Sequence, residues 1–232
     1  MDMTGNPIIV FGGTGYYGRY IVRSLIRKGE DVKVLSRDKA RAKKILGDEP
    51  EIIEGDITRR ESVIESLKGT KAIILSISAF HPKLIRKIRR IERDAVLMIL
   101  KKAKSTGIAR VVYLSGYEMR ENFLRNLRLQ KFGAIKIEIE KALIGSELNW
   151  TILGCAPSME LFFTFLKKDK MIAPGGGAKA IPCISSQDVG EIAAQAVLRS
   201  DLKGKRFRLT GPEAFTFPQA AQRMARISGI PV

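Results

Sequence analysis

The strongest constraint on this chain is a glycine-rich turn between a strand-like and a helix-like segment. The turn occupies 12–18, follows the apolar run 8–11 and precedes a stretch of helical apolar periodicity. Glycine allows a sharp turn and a close approach of backbone N–H groups to phosphate, and the helix N-terminus adds partial positive charge. In this strand–turn–helix context the motif predicts a dinucleotide-binding turn. Its candidate contacts are Gly12, Thr14, Gly15, Tyr16, Tyr17 and Gly18.

Short apolar runs alternate with longer helical patterns along the chain, which is typical of βαβ units and a parallel sheet. The predicted strands are 7–11, 31–35, 51–53, 71–77, 110–114, 150–153 and 206–210. The predicted helices are 16–28, 38–46, 59–67, 84–105, 132–145, 187–198 and 217–227. This order predicts a Rossmann-type doubly wound α/β fold. The pattern is less regular after 153, so we predict a dinucleotide-binding domain at 1–153 and a small substrate lobe at 154–232, packed together as one unit.

The end of the second predicted strand is where a dinucleotide-binding domain reads the ribose 2′ position. Ser36 and Arg37 stand there, followed by Asp38. A guanidinium group offers several donors to the 2′-phosphate of NADP, whereas a carboxylate would accept from the 2′-hydroxyl of NAD. Because Asp38 also suits the N-cap of the next helix, we predict NADP(H) rather than NAD(H).

A second carboxylate follows the third predicted strand. Asp56 and Ile57 are the candidate contacts there, since Asp56 could accept a hydrogen bond from an adenine amine. A helix N-cap is the alternative role for Asp56.

The charge is strongly unbalanced, with 41 Lys and Arg against 24 Asp and Glu and a formal net charge of +17. Nine basic and two acidic residues fall within 83–104, where apolar residues recur at three- and four-residue intervals. This spacing favours an amphipathic helix whose basic face is solvated. Nucleic acid or another acidic partner is the alternative, although aromatic residues that could stack on bases are not interleaved with the charges.

Several classes of protein do not fit the sequence. No stretch reaches the roughly 18 consecutive apolar residues of a membrane span, and the first residues lack the order of a signal peptide. The two cysteines, Cys155 and Cys183, have neither metal-ligand spacing nor the density of a secreted disulfide framework. We therefore expect a cytoplasmic protein with reduced packing cysteines and no metal site.

The order of several motifs resembles an atypical short-chain dehydrogenase/reductase of the NmrA-like, isoflavone-reductase-like group. The matching stretches are GGTGYYG, VLSRD, EGDI, LSISA at the fourth strand end, GIARVVYLSG, KFGAIKIEIEKAL, NWTIL, SMELFF, DVGEIAAQAV and LTGPEAFT. The resemblance covers nearly the whole chain and implies an NAD(P)-binding Rossmann fold. It adds Ser76 and Ser78, after the fourth strand, to the candidate cofactor contacts.

In the wider family a Tyr-x-x-x-Lys pair performs the proton chemistry, and here the matching positions are Phe132 and Lys136. The lysine is present and the tyrosine is not. The resemblance implies that Lys136 binds the cofactor ribose or, if burial lowers its pKa, acts as the proton donor or base. Ser115 matches a serine that orients substrate. For both residues a purely structural role is the alternative.

Two functions are compatible with the absence of the family's tyrosine. The first is an NADPH-dependent reductase of a small apolar substrate, such as a quinone or enone, held by the segment 156–166. The second is a non-catalytic NADP-sensing binding protein, as the NmrA-like resemblance implies. His81 precedes the basic segment in the loop after the fourth strand, and we interpret it as incidental.

Overall fold

A computed structural model of the protein describes residues 5–79, 84–108, 110–119, 130–168, 170–173 and 176–229. His81, Lys83, Pro174 and Gly175 lie outside these ranges. The strands are β1 (Ile8–Phe11), β2 (Val32–Ser36), β3 (Glu51–Glu54), β4 (Ala72–Leu75), β5 (Arg110–Gly116), β6 (Asn149–Cys155), β7 (Leu166–Lys167), β8 (Lys170–Met171), β9 (Ile181–Pro182), β10 (Lys205–Leu209) and β11 (Ala214–Phe215).

The α-helices lie in most of the connections of the main sheet, and the last helix follows β11. They are α1 (Gly18–Arg27), α2 (Lys39–Leu46), α3 (Arg60–Leu67), α4 (Ala95–Ser105), α5 (Gln130–Ile144), α6 (Leu161–Thr164), α7 (Ser186–Leu198) and α8 (Phe217–Ser228).

Seven strands form one parallel sheet in the order β10-β6-β5-β4-β1-β2-β3. The chain thus moves outward from β1 in one direction and then returns to β4 and moves outward in the other. This is the Rossmann order, with β10 added at one edge, so the predicted fold class is confirmed. The short strands pair separately, β11 with β9 and β7 with β8, both antiparallel.

The sheet is buried on both faces, as a parallel sheet requires. In β1, for example, Ile8 and Val10 pack into one core with side chains of α1, α2 and α7, whereas Ile9 and Phe11 pack into another with side chains of α3, α4 and α5. A third, smaller core lies in the C-terminal region, where the rings of Phe162 and Phe217 pack edge to face at 5.2 Å.

The predicted helix at 84–105 is not one regular α-helix. It begins with a 3₁₀ turn at Ile85–Lys87, continues as a π-helical turn at Arg89–Asp94 and becomes α-helical only in α4. The wider turn is closed by a bond from the N–H of Ala95 to the carbonyl of Arg90, five residues back. The apolar periodicity predicted helical structure correctly, but it gave no sign of the extra residue in this turn.

The last third of the chain contributes to the main sheet and to one helical layer. Strand β10 pairs with β6, and α7 packs against α1 so closely that a Cβ on Gly190 would lie 2.6 Å from the Cβ of Tyr20. The predicted division at 153 stays a prediction.

In the described part of the chain, no helix combines the length and the apolar character needed to cross a membrane.

Candidate functional site

The predicted phosphate-binding turn lies where the strand order reverses, between β1 and β4. Gly12 has a φ of +82°, and a Cβ there would lie 2.2 Å from the carbonyl oxygen of Ser76. A Cβ on Gly18 would lie 2.0 Å from the carbonyl oxygen of Gly12. Glycine at both positions therefore lets the turn pack directly on the end of β4 and on the start of α1.

This packing brings two of the predicted cofactor segments together. The N–H of Ser76 donates to the carbonyl of Phe11 at 2.9 Å, so the segment after β4 continues beside the turn. Inside the turn, the N–H of Gly15 donates to the carbonyl of Gly12 at 2.9 Å. Thr14 is half-buried, while Gly15 and Ser78 are exposed. The crevice at the carboxyl ends of β1 and β4 is the place where this fold binds dinucleotides.

The two tyrosines of the turn have different surroundings. Tyr16 is 65% exposed, and the guanidinium carbon of Arg19 lies 5.5 Å from the centre of its ring. The hydroxyl of Tyr17 donates to the carbonyl of Ala156 at 3.0 Å, and burial raises the pKa of this phenol. Tyr17 thus joins the turn to the segment that follows β6.

At the end of β2, an exposed arginine stands next to an aspartate that caps the following helix. Arg37 is exposed, whereas the carboxylate of Asp38 accepts a hydrogen bond from the N–H of Arg41 at 2.8 Å and caps α2. Ser36 completes this turn, because its hydroxyl donates to the carbonyl of Asp38 at 3.0 Å. The N-cap interpretation of Asp38 is therefore correct.

Asp56 does not cap a helix. Its Oδ1 accepts hydrogen bonds from the backbone N–H of Thr58 at 2.8 Å and from the Thr58 hydroxyl at 2.9 Å, while α3 begins only at Arg60. Burial opposes ionisation of Asp56, but the two bonds from Thr58 and the charges of Arg37 and Arg59 hold its pKa below the ordinary value. The Arg37 guanidinium and the Asp56 carboxylate thus lie on the same side of the crevice. Ile57 packs against the core of the sheet.

Lys136 is buried at the other side of the crevice, with 5% of its surface exposed. Its Nζ lies 3.0 Å from Oε2 of Glu92, on the π-helical turn, and donates to the carbonyl of Ile77 at 3.3 Å. Burial alone would lower the pKa of Lys136, but the neighbouring acidic groups of Tyr113 and Glu92 outweigh it and raise the pKa. The ion pair with Glu92 therefore favours the charged ammonium form of Lys136, and burial does not lower its pKa as a role as a base would require.

The rings of Tyr113 and Phe132 lie near Nζ of Lys136, and Ser115 lies on the same face of the sheet as Tyr113. The Lys136 Nζ lies 5.3 Å from the ring centre of Tyr113 and 5.6 Å from that of Phe132. Tyr113 is 1% exposed, and burial raises its pKa to about 12, so it is a poor proton donor. Ser115 lies two residues further along β5, and its buried hydroxyl has no hydrogen-bond partner within the described residues.

A second ion pair lies one helical turn beyond Lys136. Arg206, on β10, donates to the Glu140 carboxylate on α5 and, through Nη2, to the carbonyl of Gly116 at 2.8 Å. Arg206 and Arg208 line a shallow, open surface depression of about 390 Å³ together with Glu118 and Met119. This depression opens near the carboxyl ends of β5 and β10, on the side where the fold places substrates.

The two cysteines do not belong to a reactive site. Both are buried, and burial raises the pKa of Cys155 to about 12 and that of Cys183 to about 11. A thiol is a good nucleophile only when it is ionised. Their raised pKa values agree with the prediction of packing residues.

The geometry of the crevice fits a dinucleotide. The close backbone approach at Gly12 and Gly18 leaves no room for side chains, and the turn leads directly into α1, whose N-terminus favours phosphate.

Sequence reasoning missed Glu92, although its position on the apolar stripe between Ile88 and Ala95 was a signal. It also missed Glu140 and Arg206.

Known proteins resemble this chain over almost all of its length. It is 26% identical to the photosystem II assembly factor Ycf39 of Synechocystis, over 96% of this chain and 68% of that protein. It is 27% identical to the uncharacterised oxidoreductase YesF of Bacillus subtilis, over 98% of this chain and 73% of that protein.

Solved structures share the fold. The NADPH complex of the quinone oxidoreductase QOR2 from Escherichia coli aligns with a TM-score of 0.78 at 21% identity, covering 97% of this chain and 76% of that one. Triphenylmethane reductase from Citrobacter, with NADP(H), also aligns with a TM-score of 0.78, at 18% identity, covering 97% and 77%.

The model of a family described as NAD(P)H-binding matches residues 12–199, which contain the glycine turn, the β2 end and Lys136. The chain therefore belongs to this NAD(P)H-binding family, which agrees with the resemblance of its sequence to atypical short-chain dehydrogenases/reductases.

Proposed function

We propose that the protein is an NADPH-dependent reductase of a small apolar acceptor, such as a quinone or an enone. The observation that carries the choice of NADPH is at the end of β2. Asp38 is committed to capping α2, so Arg37 is the group left to meet the ribose 2′ position. A guanidinium group there favours a 2′-phosphate over a 2′-hydroxyl.

The site also restricts the acceptor. A bound NADPH would supply a hydride. Phe132 has no proton to give, and Lys136 is held in an ion pair with Glu92. Reduction of a simple ketone needs a proton donor for the alkoxide, whereas a quinone or enone delocalises the negative charge that it gains. The buried hydroxyl of Ser115, which has no partner among the described residues, would donate one hydrogen bond to such an oxygen.

Calorimetric titration with NADPH and NADH tests the cofactor. We expect the wild type to bind NADPH at least about tenfold more tightly, because a charge-assisted pair contributes on the order of 1.5–3 kcal/mol. Arg37→Ala should lose this preference. Arg41→Ala, an exposed arginine four residues further along, is the matched control and should keep it. Equal affinities in the wild type would contradict the choice of NADPH.

The second candidate is an NADP-sensing binding protein that does not turn over. The missing hydroxyl at Phe132 and the ion pair that holds Lys136 favour it, and one relative is named as an assembly factor. In this proposal, nucleotide binding would change how the protein contacts a partner. The basic residues within 86–104 would form the contact surface, and the partner would be nucleic acid or a protein with an acidic surface. Steady NADPH consumption with quinones and enones would contradict it, and binding without consumption would contradict the reductase.

A further inference from the structure

Glu92 is fully buried, and its carboxylate makes two contacts. Oε2 lies 3.0 Å from Nζ of Lys136, and Oε1 accepts a hydrogen bond from the backbone N–H of Ala79 at 2.5 Å. Lys136 itself donates to the carbonyl of Ile77, two residues before Ala79. The carboxylate and the ammonium group thus fix the backbone that follows β4 from two sides. This backbone carries Ser76 and Ser78, two of the predicted cofactor contacts.

The position of Glu92 depends on the π-helical turn. This turn contains one more residue than an α-helical turn, and Glu92 is its buried residue, whereas Arg89 and Arg90 are exposed. Such turns are rare and occur frequently at functional sites. A buried charge is costly unless it is paired, so an ion pair kept inside an apolar core needs a reason beyond stability.

We infer that Glu92 is a positioning residue, which fixes the Lys136 ammonium group and the backbone of Ala79 in one buried arrangement and so makes Lys136 a permanent cation of the nucleotide site. A cation held in this way can attract an anionic ligand and donate a hydrogen bond, but it cannot exchange a proton with the substrate. The role towards NADPH rests on the proposed function. The ion pair itself can be tested without a ligand.

Ionisable groups surround Lys136 on several elements. The nearest are Glu92 on the π-helical turn and Tyr113 on β5, and Cys155 on β6 is close enough to interact electrostatically. Glu140, one turn further along α5, is already paired with Arg206. Burial raises the pKa values of the Tyr113 phenol and the Cys155 thiol to about 12. Glu92 is the one carboxylate among the described residues that contacts Lys136. Without it, burial would favour the neutral amine.

The test is a pH titration of the full chain labelled with ¹³C at lysine Cε, followed by NMR from pH 7 to 11. The Glu92→Gln/Lys136→Met double variant removes both charges and identifies the Lys136 signal by its absence. In the wild type this signal should not move, while exposed lysines titrate near their ordinary pKa of about 10.4. In Glu92→Gln it should titrate at least about one pH unit below the exposed lysines.

Glu138→Gln is the matched control, since Glu138 lies on the same helix as Lys136 and forms a half-exposed ion pair with Arg93. It should leave the Lys136 signal unmoved. A wild-type Lys136 that titrates with the exposed lysines, or a Glu92→Gln variant whose signal still does not move, would overturn the inference. If Glu92→Gln does not fold, the wild-type titration alone still discriminates.

NADPH binding supplies a second readout between pH 7 and 9.5. Wild-type affinity should not change through Lys136, whereas the dissociation constant of Glu92→Gln should rise at least about threefold as the lysine loses its charge. A wild type that binds neither NADPH nor NADH would contradict the proposed function and leave the titration result standing. A Glu92→Gln variant with the flat profile of the wild type would show that the charge of Lys136 does not reach the nucleotide.

Discussion

The guanidinium group of Arg206 donates two hydrogen bonds to the carboxylate of Glu140, at 2.9 and 3.2 Å. The side chain reaches Glu140 by crossing Gly154 of β6, where an added Cβ would lie 2.9 Å from Nη1 of Arg206. Three elements of the sheet and helix layer, β10, β6 and α5, therefore meet at one point near the carboxyl end of the sheet.

Glu140→Ala should destabilise the protein by about 2 kcal/mol, because it leaves a half-buried guanidinium group without its partner. Arg206→Met/Glu140→Leu should recover most of this loss, since apolar side chains can replace a buried ion pair. Urea unfolding measures both values. The exposed pair of Arg199 and Asp201 is the control, and Asp201→Ala should have no resolvable effect. A double variant as unstable as Glu140→Ala would contradict this account.

Gly12→Ala should weaken NADPH binding at least about tenfold, a cost of about 1.4 kcal/mol, because the new methyl group would force the turn away from Ser76. Gly29→Ala is the matched control. Gly29 also has a positive φ, +78°, but nothing lies within 4 Å of an added Cβ. The Gly29→Ala variant should lose stability through backbone strain and keep its affinity for NADPH. Equal affinities of the two variants, measured by calorimetry, would show that the turn does not contact the nucleotide.

Tyr17→Phe should lower the free energy of unfolding by about 1 kcal/mol, since it removes the hydrogen bond to the Ala156 carbonyl. NADPH affinity should stay within about twofold of the wild type, because the hydroxyl is committed to that carbonyl. Urea unfolding and calorimetry measure the two effects. Loss of affinity without loss of stability would place the hydroxyl on the nucleotide instead.

Asp38→Ala should destabilise the protein by about 1 kcal/mol, as expected for the loss of an N-cap, and Asp38→Asn should retain most of that stability. Neither variant should change the preference between NADPH and NADH. Thermal unfolding gives the first effect and nucleotide titration the second. A gain of NADPH preference in Asp38→Asn would instead show that this carboxylate repels the 2′-phosphate.

Asp56 should make stability depend on pH in the acid range. Its pKa is lower in the folded protein than in the unfolded chain, where it is about 3.9. The contribution is therefore fully present above the unfolded pKa and is lost as pH falls through the folded pKa. The stability difference between wild type and Asp56→Asn should be constant from pH 7 to about 5 and shrink below about 4. Urea unfolding at each pH measures it, and a constant difference down to pH 3 would contradict the ionisation of Asp56.

Local patterns in the sequence predicted much of the fold. The central strands β1 and β4 are continuous apolar runs, and the glycine turn itself requires glycine at Gly18, where an added Cβ would meet the carbonyl of Gly12. The N-cap at Asp38 is equally local, because its partner is three residues away. Each of these features is determined by residues close together in the chain.

The charged interior of the site could not be predicted in this way. Glu92 and Lys136 are 44 residues apart, and Glu140 and Arg206 are 66 apart. Their pairing depends on the layer order of helices and strands, which charge patterns do not encode. The position of Glu92 on an apolar stripe was a sign that something must neutralise it, but it did not indicate which lysine would do so.

Strand β10 has a consequence for synthesis of the protein. Until residues 205–209 have left the ribosome, one edge of β6 exposes the N–H and C=O groups that later pair in register from Thr151 to Cys155. An unpaired, apolar strand edge invites association with other chains. The vulnerable period lasts for at least the 49 residues between the two strands, about 2–10 seconds at ordinary translation rates of about 5–20 residues per second. This edge of β6 is therefore more exposed to association during synthesis than in the folded protein, where β10 covers it.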